Sequence, residues 1–249
     1  MEDAEYTVAD QLRMTRAKNY FAWQSRLVRT HLGRRVIEVG CGIGNFTQTL
    51  LDLEAVIAVD VEAACVERLR QRYAACSNVH PLVCDLLGPE FRGLKRFRPD
   101  TCLCTSVIEH TADDAQALDA MASVLEPGGR IVLLVPAFPA LYGPIDRRLG
   151  HYRRYRAAGI RRLAERAGLR VRKARYVNTI GFFGWWLNAH ILKLEEQSER
   201  QIAFFDRWLV PPMAAVERWI HPPFGQSVLA VLEKLGAGGQ GPGAWEPNT

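Results

Sequence analysis

The segment Glu38-Val39-Gly40-Cys41-Gly42-Ile43-Gly44-Asn45 places glycines at alternate positions directly after the β-branched run Arg35-Val36-Ile37. Glycines there let the chain leave a buried strand through positive φ angles and lay bare backbone against a ligand. A dinucleotide fingerprint reads G-x-G-x-x-G and would put its third glycine at position 45, which is Asn45. The spacing found is G-x-G-x-G, with an acid on the strand before it. A pyrophosphate seeks a helix N-terminus, and Glu38 beside the turn would repel it. A ligand carrying cationic groups suits that acid better.

Two further acids follow at strand ends. Asp60 lies about 20 residues beyond the glycines, where a carboxylate can accept both hydroxyls of a ribose. Asp85 ends the next strand, placed to accept from an adenine amino group. Each alone also reads as a helix N-cap; jointly they favour a nucleoside. A nucleoside without phosphate but with an ammonium and a sulfonium is S-adenosylmethionine. Transfer of its methyl group is an in-line displacement, which needs the acceptor held at about 3–3.5 Å and does not require a metal. A hydroxyl acceptor also needs a base near neutral pKa, which favours histidine.

Two histidines sit where such a base belongs. His110 follows the fourth strand, at the carboxyl edge of the sheet. His151 lies in the loop after the fifth strand, within Tyr142-Gly143-Pro144-Ile145-Asp146-Arg147-Arg148-Leu149-Gly150-His151-Tyr152-Arg153-Arg154-Tyr155. His151 reads as the general base oriented by Asp146, or else as a helix cap while Asp146 pairs with a neighbouring arginine. Tyr142, Tyr152, Arg153 and Arg154 are then expected to shape the acceptor pocket, joined by Tyr20 and Trp185.

These residues need a sheet to carry them. The pattern predicts strands at 35–39, 56–60, 79–84, 100–107, 130–135, 169–177 and 227–232, alternating with helical spacing. A short helix is expected over 45–53, and one beginning at Thr111 with the apolar face Leu118, Met121, Ala122 and Leu125. Buried strands alternating with helices predict a doubly wound, mainly parallel α/β sheet. An N-terminal helical cap is expected over 1–33, with one helix over 6–30. The core is expected over 34–178 and 226–235, an aromatic-rich helical insert over 179–225, and a disordered Gly/Pro-rich tail over 236–249.

The chain has 249 residues, 48% apolar and 24% charged, as a globular protein does. Its acidic first residues have no apolar run behind them, and the uncharged stretch Tyr176–Leu192 is too short and too polar to span a bilayer. Six cysteines without a Cys-x-x-Cys read as reduced thiols in a cytoplasmic core, with no zinc site. Residues 147–175 hold eleven arginines and one lysine against Glu165, while the whole chain carries only +5. Most of these charges read as a solvated helix face and an edge strand; an anionic substrate or a membrane surface would also answer to them. No nucleic-acid motif accompanies them.

In the order and spacing of E-V-G-C-G-I-G (38–44), Asp60, Cys84-Asp85-Leu86, Ser106-Val107-Ile108-Glu109-His110 and Leu125-Glu126-Pro127-Gly128-Gly129-Arg130, the chain resembles the class I S-adenosylmethionine-dependent methyltransferases. The resemblance implies a seven-stranded sheet with an antiparallel last strand. It implies a donor site at Glu38, Gly40, Cys41, Gly42, Gly44, Asp60, Val61, Asp85, Leu86 and Ser106. It implies S-adenosylmethionine as cofactor, S-adenosylhomocysteine as product, no metal, and a small acceptor of specialised metabolism. The aromatic insert, with Trp185, Trp186, Phe204, Phe205 and Trp208, reads as packing or dimer contact, as a lid over an apolar acceptor, or as a membrane contact; monomer and homodimer both remain open. A nicotinamide-dependent oxidoreductase and a relative that keeps the fold without transferring methyl groups stand as alternatives.

Overall fold

The computed structural model describes residues 2–236, with no account of the side chains of residues 2–7. Helices α1 (Glu2–Met14) and α2 (Lys18–Arg29) precede strand β1 (Arg35–Val39). There follow β2 (Ala55–Asp60), α3 (Ala63–Arg72), β3 (Val79–Val83), β4 (Thr101–Thr105), α4 (Asp114–Val124) and β5 (Arg130–Pro136). After β5 come α5 (Pro144–Arg148), α6 (Ala157–Arg166), β6 (Leu169–Val177), α7 (Thr179–Leu187), α8 (Glu199–Phe204), α9 (Val210–Glu217) and β7 (Ser227–Lys234).

The seven strands form one sheet in the order β3-β2-β1-β4-β5-β7-β6. Strands β1 to β5 pair in parallel, and β7 runs antiparallel between β5 and β6. Strands β1, β2, β4 and β5 are buried on both faces, which is why they read as apolar runs, whereas the edge strand β3 is largely half-buried. One face packs Ile37, Ile57, Ile131 and Leu133 beneath α4 and α6; the other packs Val36, Val56, Val132 and Leu134 beneath α2 and α9. Strand order reverses between β1 and β4, and the crevice at their carboxyl ends is the place where an open α/β sheet takes a ligand.

Several local expectations are corrected. The stretch 45–53 makes only a single turn of 3₁₀-helix at Thr47–Thr49, because the chain must re-enter β2 at Ala55. The N-terminal region is two helices rather than one, broken at Thr15–Ala17, which turns α1 across the glycine turn so that Asn45 Nδ2 donates to the Gln11 carbonyl at 2.7 Å. Asp113, not Thr111, caps α4, accepting from the Ala115 and Gln116 N–H groups at 3.1 Å. Strand β4 is shorter than its apolar run. Asp100 leaves it to accept the Arg34 and Arg35 N–H groups at 2.7 and 3.0 Å, and Ser106 ends it at φ 54°.

Helices α7, α8 and α9 fill the segment between β6 and β7. Residues 205–209 widen into a π-helix directly before Pro211-Pro212, whose missing N–H groups cannot continue the α-helical ladder. All six cysteines are free and five are buried. The arginine run is spread over α5 (Arg147, Arg148), the segment leading to α6 (Arg153, Arg154, Arg156), α6 itself (Arg161, Arg162, Arg166) and the edge strand β6 (Arg170, Arg172, Arg175), and of these only Arg154 is buried. Among the described residues no helix is long and apolar enough to cross a membrane. The tail expected to be disordered lies, beyond its first residue, outside the described residues.

Candidate active site

A cavity of about 920 Å³ opens at the carboxyl ends of β1, β2, β4 and β5, near the upper end of the roughly 300–1,000 Å³ usual for small-molecule sites. Gly40, Cys41, Asp60, Val61, Asp85, Leu86 and Ser106 line one end of it. Gly40 takes φ 75°, and a Cβ there would stand 2.2 Å from the Val107 Cγ2 methyl. Only glycine fits. Asp60 Oδ2 accepts from the Gly42 N–H at 2.8 Å and Oδ1 from the Glu62 N–H at 3.0 Å. A carboxylate offers about four acceptor positions, so the carboxylate that pins the turn can still accept from a vicinal diol. Asp85 is exposed and spends one oxygen on the Leu87 N–H at 2.9 Å. Two backbone-pinned acids around a glycine cradle fit an uncharged ribose and adenine. Ser106, a non-glycine residue at φ 54°, is held there as its N–H donates to the Leu134 carbonyl at 2.9 Å; strained backbone of this kind concentrates at functional sites.

Three residues expected at the donor end lie elsewhere. Glu38 is buried behind the turn, where Thr47 Oγ1 donates to its Oε2 at 2.6 Å, and burial pushes its carboxyl up to about 8. Its proton stays on near neutral pH, so it supports the turn without presenting a charge to the cavity. Gly42 and Gly44 shape the turn from below; a Cβ on Gly44 would meet Tyr73 at 2.7 Å.

The opposite end gathers His110, His151, Glu109, Arg154, Tyr20 and Trp185. Asp146 is wholly buried behind them. Its carboxylate accepts from His151 Nδ1 at 2.8 Å, Arg154 Nε at 3.0 Å, the Gly143 N–H at 3.0 Å and Trp185 Nε1 at 3.4 Å. Burial alone would raise this carboxyl, but the hydrogen bond from His151, the Arg154 charge and the Gly143 N–H hold it below its ordinary value. With both Asp146 oxygens accepting, the network assigns the His151 proton to Nδ1 and leaves Nε2 as an acceptor. Both expected partnerships of Asp146 are therefore present at once. His151 caps no helix, since α6 begins after Arg156.

The His110 and His151 rings meet edge to face at 4.6 Å. His110 lines the cavity and is exposed. Partial burial of its ring, with His151 beside it, pushes it down to about 4. Burial likewise drives the Glu109 carboxyl up to about 8. Tyr20 reaches the cavity from α2, its phenol raised to about 12 by burial. Arg154 lies over the Trp185 ring at 4.8 Å.

Tyr142, Tyr152 and Arg153 do not line the cavity. The Tyr142 hydroxyl donates to the His151 carbonyl at 2.7 Å, which braces the loop. Tyr152 is 61% exposed. Arg153 pairs with Asp114 at 3.0 Å and donates to the Ala112 carbonyl at 2.6 Å. Phe205, one of the insert aromatics, lines the cavity; so do Gln11, Gln24, Glu109 and Asp206, to which the sequence assigned no role. Glu109 adjoins a residue that was picked; the others stand in helices remote from every motif.

With this geometry in place, comparison with known proteins decides the family. Residues 37–131 match the family model described as Methyltransferase domain. Those residues form a methyltransferase domain. Over 161 residues, 64% of this chain and 58% of the other, it is 31% identical to a Mycolicibacterium smegmatis protein named as an S-adenosylmethionine-dependent methyltransferase. It is 29% identical over 101 residues, 40% of each chain, to the ubiquinone biosynthesis O-methyltransferase of Alkalilimnicola ehrlichii. The chain thus spans little over half the length of the first relative and less than half of the second. A chain in the solved Haloferax volcanii complex of the Trm112 methyltransferase activator shares the fold, with TM-score 0.65 at 19% identity, covering 94% of this chain and 98% of that one. The matching family is that of the methyltransferase domain, not that of the nicotinamide-dependent oxidoreductases.

Burial of Glu38 and Glu109 carries a stability consequence. Each carboxyl has a folded pKa of about 8 against an ordinary 4.5, so the folded chain binds protons that the unfolded chain releases in between. That contribution is complete below pH 4.5 and is lost as pH rises through 8. His31 and His110, both lowered to about 4 by burial, act in the opposite sense but only below pH 6.5. Between pH 6.5 and 8 the two carboxyls dominate the slope, worth on the order of 2–4 kcal/mol together, before the buried thiols, raised from an ordinary 9.0, add to it. The melting temperature is expected to fall across that window, and Glu38→Gln is expected to flatten the fall. An identical slope in the variant would show that Glu38 ionises normally.

Proposed function

We propose that the protein transfers the methyl group of S-adenosylmethionine to a hydroxyl of a small, largely apolar acceptor, with His151 as the base. The reading is carried by one observation: a single cavity joins the glycine turn, Asp60 and Asp85 at one end to the Asp146–His151 pair at the other. Gly40, Asp60 and Asp85 would hold the donor. When bound, the donor supplies an electrophilic methyl on a sulfonium that leaves as a thioether.

The chain's own part is positional and electrostatic. His151 Nε2 accepts the hydroxyl proton as the oxygen lone pair forms the new bond to carbon. Asp146 stabilises the resulting imidazolium by keeping Nδ1–H in a charge-assisted hydrogen bond. His110, held neutral, and Glu109, carrying its proton near pH 7, add no charge that would oppose that step. Phe21, Phe205, Ile202 and Trp185 favour an apolar acceptor body and keep water out. Titration calorimetry tests the donor end: S-adenosylhomocysteine is expected to bind and NADH is not. Binding of NADH alone would end the reading.

The acceptor end raises a second possibility for the same atoms. Glu109, His110 and His151 each place one ligand atom within 4.8 Å of the others, a spacing that suits a divalent cation. Proton transfer to His151 needs its Nε2 free, so dialysis against EDTA is expected to leave methyl transfer unchanged. Activity lost to EDTA and restored by a divalent cation would make these side chains ligands instead of a base.

A further inference from the structure

The helices between β6 and β7 are apolar on both sides. Trp185, Ile202 and Phe205 face the cavity. Phe183, Trp186, Leu187 and Ile191 recur at i, i+3, i+4 and i+8, the spacing of a helix face meant for burial, yet each is at least 44% exposed. Trp208 and Trp219 are exposed by 60% and 78%. Of the fourteen exposed large apolar side chains among the described residues, ten fall between 183 and 220. That concentration is a patch in sequence, not the scattered exposure of an ordinary surface.

The charges beside it are sorted by sign. The acids Glu195, Glu196 and Glu199 pair with Arg148, Arg13 and Arg16, and Asp206 and Glu217 are buried against helix N-termini. Lys193, Arg200, Arg207 and Arg218 form no ion pair with a carboxylate of the described residues. Arg207 lies 5.1 Å over the Trp208 ring and Arg218 5.4 Å over the Trp219 ring. Exposed tryptophans with unpaired cations on a helix too short to span are the chemistry of an element lying in a bilayer interface. A second copy of this chain fits less well, because a two-fold axis through the patch would bring its cations against their own copies.

We propose that the outward face of α7–α9 docks on an anionic lipid surface. The inner faces of α7 and α8, with Phe205 beyond them, roof the cavity, so docking would seat the roof of the site on a reservoir of apolar acceptors. The docking itself does not depend on the methyl-transfer reading and is tested without turnover.

The test is co-sedimentation of the full chain with vesicles of phosphatidylcholine alone or with 30% phosphatidylglycerol, at about 50 mM and 500 mM salt. Binding is expected to the anionic vesicles at low salt, and to fall at least tenfold on neutral vesicles or in high salt. The double variant Arg207→Glu/Arg218→Glu and, separately, Trp208→Ser/Trp219→Ser are each expected to lose at least tenfold in partitioning. Affinity for S-adenosylhomocysteine should be unchanged in both, which certifies their fold. Absence of binding at low salt, equal binding to neutral vesicles, or variants that bind as the parent does would each overturn the proposal. So would a concentration-dependent dimer in analytical ultracentrifugation that the tryptophan variant abolishes, because the face would then be covered by a second copy.

Discussion

His151→Ala is expected to lower kcat by about 10²–10⁴-fold, the range for removing a general base, with S-adenosylhomocysteine binding unchanged. Tritiated S-adenosylmethionine with a panel of small phenols provides the readout. The size of the effect follows from the geometry. His151 is the imidazole whose Nδ1 proton is fixed by a buried carboxylate at 2.8 Å, which leaves Nε2 toward the cavity. Burial and the neighbouring His151 push His110 down to about 4, so it resists protonation and His110→Ala is expected to cost much less. Asp146 acts through His151 as a positioning residue. Asp146→Asn keeps an acceptor for Nδ1–H but loses the negative charge that stabilises the imidazolium, and is expected to lower kcat with S-adenosylhomocysteine binding unchanged. Full turnover in both histidine variants would remove the base assignment. Tight product binding without turnover in the parent chain, on any phenol, would favour a relative that keeps the fold for another purpose.

The second large effect is at the donor turn. Gly40→Val is expected to weaken S-adenosylhomocysteine binding at least 100-fold in calorimetry. The side chain would have to occupy φ 75° and collide with Val107, whose methyl lies 2.2 Å from the added Cβ. Strained backbone and overpacking each cost about 1–3 kcal/mol, and relief would come by displacing the turn that carries the Gly42 N–H onto Asp60. Gly168→Ala supplies the control. Gly168 has φ 66° with nothing within 4 Å of an added Cβ, so it bears similar backbone strain far from the turn and is expected to bind the product normally. Loss of binding in both variants would trace the effect to general destabilisation.

The strands, their order of appearance and the glycine turn were legible in the sequence because each is a local property. A β-branched run, a helical period and a positive-φ position announce themselves within a few residues. Asp60 and Asp85 were legible for the same reason, since strand ends deliver them to one edge of the sheet whatever surrounds them. Directions of side chains in the loop 142–155 were not. Nothing local distinguishes Arg154, which turns inward to Asp146, from Arg153, which turns outward to Asp114.

Folding alone decided how distant pieces complete one another. Helix α2 has no capping side chain of its own, and Asp206, 186 residues away, accepts the Tyr20 N–H at 2.8 Å in its place. At α7, whose own N-cap Asn178 accepts the Gly181 N–H at 2.9 Å, Glu217 adds a distant acceptor, taking the Thr179 N–H at 2.7 Å. The acidities of Glu38 and Glu109 were likewise invisible in the chain, because they depend on the protein packed around each carboxyl. Local bonding and sterics act between near neighbours and are written into the order of residues. Burial and capping depend on which parts of the chain meet in space, and that is settled only when the two faces of the sheet are covered.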